Sequence, residues 1–397
     1  MLEGHEILCL YCEGWDTPLR SSKHHFMTHL SRRNRVLYVE MPVHPLTALR
    51  YPEKWRRALR RWRQGPVPVQ ENLYTLSPLC PLPYHRASRL TSALWVNQVN
   101  QLSVLPYLRQ AMRRLGFERP ILWFYFPHAV SVLDRIPHKL AFFYLIDDYS
   151  AFEGVPRTYP VLERELLARA DLVAALSQSL YDSRRSLCRE IHLVRPGVFA
   201  EHFAKAQDGQ SSVPEDIRGL RRPVIGYYGA LHKLDMQLIQ AMATARPHWS
   251  FLFIGPFQGY QGADVSPLGE LQNVHLLGAR PHESLPNYLR GVNVAILPVQ
   301  VNQLTLNMCP VKLYEFLAAG KPVVSADLPE VRAVAGDLVK TARNATEFIR
   351  RIEECLAEDD PSLVKRRTAL ADQNSWEARF AMLETLIEGK LRGLARN

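Results

Sequence analysis

The sequence contains no long uninterrupted apolar run. None of its hydrophobic stretches approaches the roughly 18 residues that a membrane-spanning helix requires, so we expect no such helix. The first residues, Met-Leu-Glu-Gly-His-Glu, have neither the cationic start nor the long apolar segment of a signal peptide. The sequence therefore predicts a cytoplasmic protein that does not cross a bilayer.

Cysteine is sparse. Six cysteines in 397 residues do not make the dense framework of a disulfide-stabilised secreted domain, which again favours a reducing compartment. Cys9 and Cys12 have the spacing of a redox motif, but they lie inside the first predicted strand and not at the start of a helix that would lower a thiol pKa. We interpret both as small buried apolar residues.

Motifs for nucleic acid and for dinucleotide cofactors are absent as well. The sequence has no zinc knuckle, no RNP-type aromatic motif and no helix-turn-helix pattern. The loop 13–25, which follows the first predicted strand, lacks the G-x-G-x-x-G pattern of dinucleotide-binding folds. We therefore expect no nucleic-acid partner and no NAD cofactor.

Positive charge is in excess, since the formal net charge is +10, and this favours an anionic partner. Residues 50–63 contain seven basic side chains and one acid, while Trp55, Ala58, Leu59 and Trp62 recur at helical spacing. A helix with this composition is suited to lie on an anionic membrane surface. A solvated basic helix and an RNA-binding helix are the alternatives.

Short apolar runs that end in glycine or proline alternate with helical stretches through both halves of the chain. This pattern is typical of parallel strands in a sheet that is covered on both faces, so the fold class is α/β. The length allows two such domains. We predict an N-terminal domain at residues 1–205, a linker at 206–221, a C-terminal domain at 222–374 and a final helix at 375–397 that crosses back to the first domain.

A short capped helix is predicted between Pro310 and Pro322. Proline suits the first turn of a helix, Gly320 can adopt the left-handed conformation that ends one, and Pro322 prevents continuation. Lys312 and Glu315, three residues apart, stand near each other on the polar side of the first turn. A phosphate and a sugar diol would suit this pair and the neighbouring helix amides, although an ordinary surface Lys–Glu pair has the same spacing.

Together these segments resemble the C-terminal half of GT-B glycosyltransferases, from about Leu193 to Ser325. The resemblance rests on the runs G-Y-Y-G-A-L-H-K-L-D, I-G-P, N-V-H-L-L-G, I-L-P and P-V-K-L-Y-E-F-L-A-A-G-K-P-V-V. The bacterial enzymes of teichuronic-acid-type polysaccharides are the most similar, and the xanthan glucuronosyltransferase is a more distant likeness. The resemblance implies two Rossmann-like domains that face each other across a cleft, with the donor bound by the second.

The resemblance and the residues together suggest a donor site for a nucleotide sugar. Positive charge for the leaving phosphate would come from Lys312 and from Arg280, and the loop after the first strand of the second domain would border the diphosphate. By resemblance, backbone groups at Ala279 and Arg280 hold the nucleobase and Glu315 contacts the ribose. The predicted donor-binding residues are Gly229, His232, Lys233, Ala279, Arg280, Asn307, Lys312 and Glu315.

Asp147 is the candidate catalytic base. It follows the predicted strand 139–146, and by local resemblance it lies where the xanthan-type enzymes carry a catalytic aspartate; a helix-capping role for Asp147 or Asp148 is the alternative. Retaining GT-B families often have a glutamate eight residues before the Glu315 position, where this chain has Asn307. We therefore predict inversion, with Asn307 bonded to the donor sugar.

Acceptor-side contacts are predicted in the loop after the first strand, at Asp16, Arg20 and His24, although they could equally be loop residues without a role. We expect no metal, because a single pair of adjacent aspartates is a poor magnesium site and the resemblance implies none.

The predicted function is transfer of a sugar from a nucleotide diphosphate donor, with a UDP-sugar favoured, to a membrane-held or lipid-linked saccharide. The protein would be peripheral on the inner face of the cell membrane, bound through residues 50–63. A sugar-nucleotide 2-epimerase and a non-catalytic GT-B scaffold are the alternatives.

Overall fold

The computed structural model describes residues 1–17, 21–85, 88–152, 155–208, 212–256, 263–358 and 360–395. The chain divides into two compact units. Unit 1 comprises Met1–Arg195 and Phe380–Asn397, and unit 2 comprises Pro196–Arg379. Each unit is built around one sheet.

Eight strands form the sheet of unit 1 in the described part of the chain. They are β1 (Glu6–Cys12), β2 (Arg35–Glu40), β3 (Val67–Gln70), β4 (Leu73–Leu76), β5 (Ile121–Phe124), β6 (Leu140–Leu145), β7 (Leu172–Ala175) and β8 (Ile191–Leu193). The sheet of unit 2 consists of β9 (Val224–Tyr228), β10 (Ser250–Ile254), β11 (Val274–Leu276), β12 (Val294–Leu297), β13 (Val323–Ala326) and β14 (Val339–Ala342).

Helices cover the sheets and connect their strands. In chain order they are α1 (Ser22–Leu30), α2 (Thr47–Arg50), α3 (Pro52–Gln64), α4 (Leu94–Leu115), α5 (Tyr159–Arg169), α6 (Gln178–Arg184), α7 (Ala200–Ala204), α8 (Glu215–Arg218), α9 (Met236–Ala245), α10 (Leu285–Gly291), α11 (Gln303–Leu306), α12 (Val311–Ala318), α13 (Pro329–Ala335), α14 (Ala345–Ala357), α15 (Pro361–Gln373) and α16 (Trp376–Leu394). Of the helices in the described ranges, none combines the length and the apolar character needed to cross a membrane.

The strand order in unit 1 is β3-β4-β2-β1-β5-β6-β7-β8, and every described pair is parallel except β3 with β4. The centre is apolar on both faces. Leu8 of β1 lies between Leu37 of β2 and Leu122 of β5 on one face, Ile7 lies between Val36 and Ile121 on the other, and all six side chains are fully buried. Helices on both faces of the sheet require such continuous apolar strands.

The strand order in unit 2 is β11-β10-β9-β12-β13-β14, and all described pairs are parallel. The order reverses between β9 and β12, whose strands pair directly. In open parallel sheets, ligands bind beyond the carboxyl ends of the strands at such a point. The predicted α/β class with two Rossmann-like sheets is confirmed.

Two elements of unit 1 differ from the sequence-based expectation. The sequence predicts a mainly helical stretch at 85–115, whereas α4 begins only at Leu94. Side-chain bonds hold residues 88–93 in an irregular path; for example, Ser92 Oγ donates to the His85 carbonyl at 2.9 Å. The antiparallel edge strand β3 was not predicted. It has only four residues, which are too few for an alternation of apolar and polar side chains to identify a strand.

Candidate functional site

The loop after β9 approaches the start of α12. Gly229 follows the last residue of β9 with φ at +138°, and its amide donates to the Ile254 carbonyl at 2.9 Å. A Cβ atom at Gly229 would lie 2.9 Å from the Tyr227 hydroxyl and 3.2 Å from Cε of Lys312. Glycine is therefore needed both for the backbone conformation and for the close approach of the Lys312 side chain.

Helix α12 has the predicted ends. Pro310 stands at its N-cap, and Gly320 adopts a left-handed φ of +72° just after it. Leu313, Phe316 and Leu317 are fully buried and form the apolar stripe that fixes the helix against the unit. The prediction of a short capped helix is confirmed, and its polar first turn faces away from this stripe.

A three-residue cluster occupies that first turn and the end of β9. Nζ of Lys312 donates to Oε2 of Glu315 at 2.7 Å, and the Tyr228 hydroxyl donates to the same oxygen at 2.5 Å. Nζ of Lys312 also lies 4.6 Å from the centre of the Tyr228 ring. The Glu315 side chain is only 8% exposed, so this is not the solvated surface pair that the spacing alone allowed.

The surroundings of the cluster determine which of its groups donate and which accept hydrogen bonds. Burial, and then the adjacent Glu315 carboxylate, raise the pKa of Tyr228 well above its ordinary value, so the phenol stays protonated and acts as a donor. Both bonds to Glu315 end on Oε2, and no hydrogen bond among the described residues ends on Oε1. The second carboxylate oxygen can therefore accept from a ligand hydroxyl.

Aromatic rings of α7 and of the segment before α10 lie near Tyr228. Phe203 stacks on Tyr228 with ring centres 6.1 Å apart, and His202 stacks on His282 at 4.8 Å. Burial lowers the pKa of His282 below its ordinary value, which keeps the ring neutral at pH 7. Sequence reasoning missed Tyr228, His202 and His282, because only the fold brings these segments together.

Arg280 has partners within its own unit. Its Nε donates to the Tyr288 hydroxyl at 2.9 Å, and a terminal nitrogen lies 3.2 Å from Oδ2 of Asp216. The guanidinium is therefore already neutralised, while the adjacent Ala279 is exposed. The structure favours backbone groups over the Arg280 charge as ligand contacts in this loop.

The segments that contain His232, Lys233 and Asn307 lie side by side. The Lys233 carbonyl accepts from the Gln300 amide at 2.9 Å, and Nζ of Lys233 is 3.5 Å from the sulfur of Met308, which follows Asn307. The structure thus brings this loop to the segment before α12. Asp235 caps α9, because its side chain accepts from the Leu238 amide at 2.9 Å.

In unit 1, Asp147 and Asp148 follow β6 but have different surroundings. Asp148 is 2% exposed, accepts from the Ser150 hydroxyl at 2.5 Å and lies 3.4 Å from a terminal nitrogen of Arg184. Asp147 is half-buried. Burial, and then the charge of Asp147, raise the pKa of Tyr149. Asp148 thus has a structural ion pair, whereas Asp147 is the more accessible carboxylate at the carboxyl edge of the sheet.

The predicted acceptor-side residues have different environments. Asp16 is paired with Arg61 of α3, which also donates to Oε1 of Glu40 at 2.9 Å. His24 is 1% exposed and its ring centre is 5.0 Å from that of Trp15. Arg20 lies outside the described residues.

A buried ion pair in the same loop escaped sequence reasoning. Nζ of Lys23 is 2.6 Å from Oε2 of Glu13 and 4.8 Å from the centre of the Phe126 ring. Burial alone would raise the pKa of Glu13, but the Lys23 ammonium outweighs it and the pKa lies below its ordinary value. Both charged groups therefore stand at the carboxyl ends of β1 and β5, on the edge that carries Asp147.

No cluster of three or more histidine, cysteine or acidic side chains with the geometry of a metal site occurs in the described part of the chain.

Parts of the chain are similar in sequence to known glycosyltransferases. Residues 222–358 match the family described as "Glycosyl transferases group 1". Over 231 residues the chain is 29% identical to the TuaH protein of Bacillus subtilis (strain 168), which is named as a teichuronic acid biosynthesis glycosyltransferase. That match covers 56% of this chain and 57% of the relative.

Two solved structures have a fold similar to that of this chain along almost its whole length. Sucrose-phosphate synthase from Thermosynechococcus elongatus has a TM-score of 0.68 at 13% identity, covering 98% of this chain and 100% of that one. A UDP-forming α,α-trehalose-phosphate synthase from Burkholderia xenovorans has a TM-score of 0.68 at 11% identity, covering 99% and 100%. The chain therefore has the GT-B fold, and the resemblance seen in the sequence is confirmed.

Proposed function

We propose that this chain, whose residues 222–358 match the group 1 glycosyltransferase family, transfers a sugar from a nucleoside diphosphate donor to a hydroxyl group of a saccharide acceptor. The observation that carries the proposal is the Lys312–Glu315–Tyr228 cluster at the carboxyl edge of the unit 2 sheet. The name of the TuaH relative supports a role in polysaccharide synthesis, and the UDP-forming neighbour supports a UDP-sugar donor.

The donor binds to unit 2, within the proposed domain 222–374. The Lys312 ammonium and the first amides of α12 face the diphosphate, while Oε1 of Glu315 accepts from the ribose hydroxyls. The backbone of Gly229 and the loop to Lys233 border the phosphates. His232 belongs to this loop, Ala279 and Arg280 offer backbone groups to the nucleobase, and Asn307 bonds the donor sugar.

The acceptor binds to the N-terminal domain at 1–205, and Asp147 is the base. The acceptor hydroxyl gives its proton to Asp147 as its oxygen bonds to the anomeric carbon, and the bond from that carbon to the diphosphate oxygen breaks. The leaving diphosphate carries away the electron pair, and Lys312 stabilises its charge. A single displacement of this kind inverts the configuration. Asp16 and Arg20 contribute to the acceptor side, whereas His24 is too deeply buried to contact the acceptor and supports this loop through Trp15. The reaction needs no metal.

Donor binding is tested first by thermal shift with UDP, GDP, dTDP and CDP, with NAD as the control. A ligand at about 100 times its dissociation constant stabilises the folded state by about 2.7 kcal/mol. We expect a clear shift with one nucleoside diphosphate that is lost in Lys312→Ala. If folded protein shows no shift with any of the four, the donor site proposed here is wrong.

The base is tested with two neighbouring substitutions. Asp147→Asn removes the proton acceptor and little volume, so transfer should fall about 100-fold or more while nucleotide binding remains. Asp148→Asn is the matched control, because it breaks the contact with Arg184 and should lower stability more than activity. Normal transfer by Asp147→Asn would refute the mechanism, because another group would then have to act as the base.

Helix α3 binds an anionic membrane on the inner face of the cell. Its basic residues are not equivalent, because Arg61 is held by Asp16 and Glu40, and Arg56 pairs with Glu53 at 2.6 Å. The exposed basic residues of this helix with no ion pair among the described residues are Lys54, Arg57, Arg60 and Arg63. These four are free to contact lipid phosphates.

Changing those four residues to glutamine should strongly weaken binding at low salt to vesicles that contain phosphatidylglycerol, since each contributes on the order of 1 kcal/mol. The control removes the same charge from four exposed basic residues elsewhere, Arg164, Arg185, Arg221 and Lys365. Equal vesicle binding by the two variants would show that α3 is not the anchor.

A further inference from the structure

Helix α4 has an outer face without charge. Residues 90–108 contain no Asp, Glu, Lys or Arg, although surface helices normally carry charged groups on their outer face. Large apolar side chains occupy that face instead. Leu90, just before the helix, and Leu94, Trp95, Val99 and Leu102 are 65%, 37%, 47%, 39% and 53% exposed. We name these five residues the α4 stripe.

The α4 stripe cannot turn inward. Val96, Val104 and Leu108 on the opposite face of α4 are 2%, 1% and 1% exposed and fix that face against unit 1. The spacing of Trp95, Val99 and Leu102 places them on one line along the outer surface. The exposed apolar surface is therefore a permanent feature of the folded unit.

The basic helix α3 packs beside α4. The Tyr107 hydroxyl of α4 donates to the Trp62 carbonyl of α3 at 2.6 Å, and the two rings are 5.9 Å apart. Unpaired cations and an uncharged apolar strip thus lie on neighbouring helices of one unit. The segment that leads into α3 adds Leu49, which is 84% exposed.

We infer that the α4 stripe enters the apolar region of an anionic lipid bilayer while the basic residues of α3 bind the phosphate headgroups. This rests on the proposed membrane association and adds a second, hydrophobic element to it. The positive charge of α3 complements an anionic lipid surface, and tryptophan and leucine beside basic residues are characteristic of segments that lie in a membrane interface. A headgroup layer alone would leave the α4 stripe in contact with water.

The position of the α4 stripe relates it to the acceptor. The Ser92 carbonyl, two residues before α4, accepts from the Thr158 hydroxyl at 2.6 Å, next to α5. Tyr159, the first residue of α5, lies 6.0 Å from Tyr149, and the charge of Asp147 acts on both tyrosines. An apolar carrier chain held in the membrane at the α4 stripe would therefore present its saccharide near Asp147.

The test compares Trp95→Ser/Leu102→Ser with a control, Val161→Ser/Val301→Ser, whose residues are 53% and 56% exposed elsewhere. Binding is measured by sedimentation with phosphatidylglycerol vesicles at low salt and at about 0.5 M salt, where exposed charges are strongly screened. We expect the stripe variant to lose about tenfold or more in partitioning, because two large apolar side chains no longer leave water. The loss should persist at high salt, and the control should bind like the wild type.

The depth to which Trp95 enters the bilayer is measured in a separate experiment. Vesicles with brominated acyl chains should quench tryptophan fluorescence of the wild type more than that of Trp95→Phe, because bromine quenches only at close range. Unchanged partitioning of the stripe variant, or equal quenching of Trp95→Phe, would overturn the inference. Loss of self-association in the stripe variant, without loss of vesicle binding, would also overturn it and identify a second copy as the partner.

These outcomes are distinct from failure of the proposed function. If the stripe variant binds vesicles normally while the α3 variant does not, only the inference fails. If the wild type itself does not bind phosphatidylglycerol vesicles, the proposed membrane association fails as well. The thermal shift with nucleoside diphosphate serves as the folding check for every variant, and we expect it to be unchanged by either apolar pair.

Discussion

Tyr228→Phe should disrupt the organisation of the proposed donor site while changing its shape very little. The substitution removes only the hydroxyl that donates to Glu315 at 2.5 Å. Tyr228 is 3% and Glu315 6% exposed, so water does not replace the lost bond. A hydrogen bond to a charged group contributes about 1.5–3 kcal/mol, and for a domain of this size we expect the unfolding midpoint of unit 2 to fall by about 5 °C.

Nucleotide binding should weaken in parallel. Without the phenol, Glu315 keeps only Lys312 as a partner, and its free oxygen is no longer held towards the ligand. We expect the dissociation constant for the nucleoside diphosphate to rise about tenfold, measured by isothermal titration calorimetry. A double-mutant cycle with Glu315→Gln should give a coupling energy of about 1–2 kcal/mol, because one change removes the donor and the other removes the charge of the acceptor in the same bond.

The matched control is Tyr227→Phe at the preceding residue. Tyr227 is 6% exposed, and its hydroxyl donates to the Ala230 carbonyl at 3.3 Å, a longer bond to a neutral acceptor. Its loss should be clearly smaller in both stability and affinity. Equal effects of the two substitutions, or a coupling energy near zero between Tyr228 and Glu315, would refute the view that Tyr228 orients this carboxylate.

Three further predictions concern other parts of the site. Gly229→Ala should lower stability by about 1–3 kcal/mol and weaken nucleotide binding, whereas Gly336→Ala, also at positive φ but with nothing within 4 Å, should affect stability alone; equal binding by both variants would contradict this. Burial lowers the pKa of His128 from 6.5 to about 4, so the native state binds fewer protons than the unfolded state and its stability should fall by about 3 kcal/mol as pH drops through this range. Chemical denaturation of His128→Phe should lack that part of the pH dependence, and an identical pH profile would refute the assignment. Arg61→Gln should loosen α3 and speed its cleavage by trypsin, and an unchanged rate would show that the pairs with Asp16 and Glu40 do not hold the helix.

The fold could be predicted from the sequence because its signals are local. Buried parallel strands appear in the sequence as short apolar runs, and those of β9, β10 and β12 are followed directly by glycine or proline. The ends of α12 were also predictable, since Pro310 and Gly320 act on the backbone next to them. The start of α4 was not, because bonds such as that from Leu82 to Asn100, at 3.0 Å, compete with helix formation upstream.

The candidate site was only partly predictable, for a related reason. The spacing of Lys312 and Glu315 identified the pair, but the third member, Tyr228, lies 87 positions before Glu315. The sequence does not distinguish the basic residues of α3 from one another. In the structure, Arg61 forms ion pairs with Asp16 and Glu40 and is therefore less available to a ligand. Periodicity and spacing describe neighbours along one element, and they contain no information on which distant carboxylate or ring a side chain meets.

The bond between Lys312 and Glu315 also bears on which ligands can enter. Because the ammonium already has a carboxylate partner at 2.7 Å, it attracts passing anions only weakly. A ligand gains by replacing that partner, which a diphosphate can do and a neutral nucleoside cannot. The same exchange releases Glu315 to accept from sugar hydroxyls. Inorganic phosphate can replace Glu315 as the partner of Lys312 but has no sugar hydroxyls, and a nucleoside has the hydroxyls but no phosphate. We therefore expect each of them to bind far more weakly than a nucleoside diphosphate.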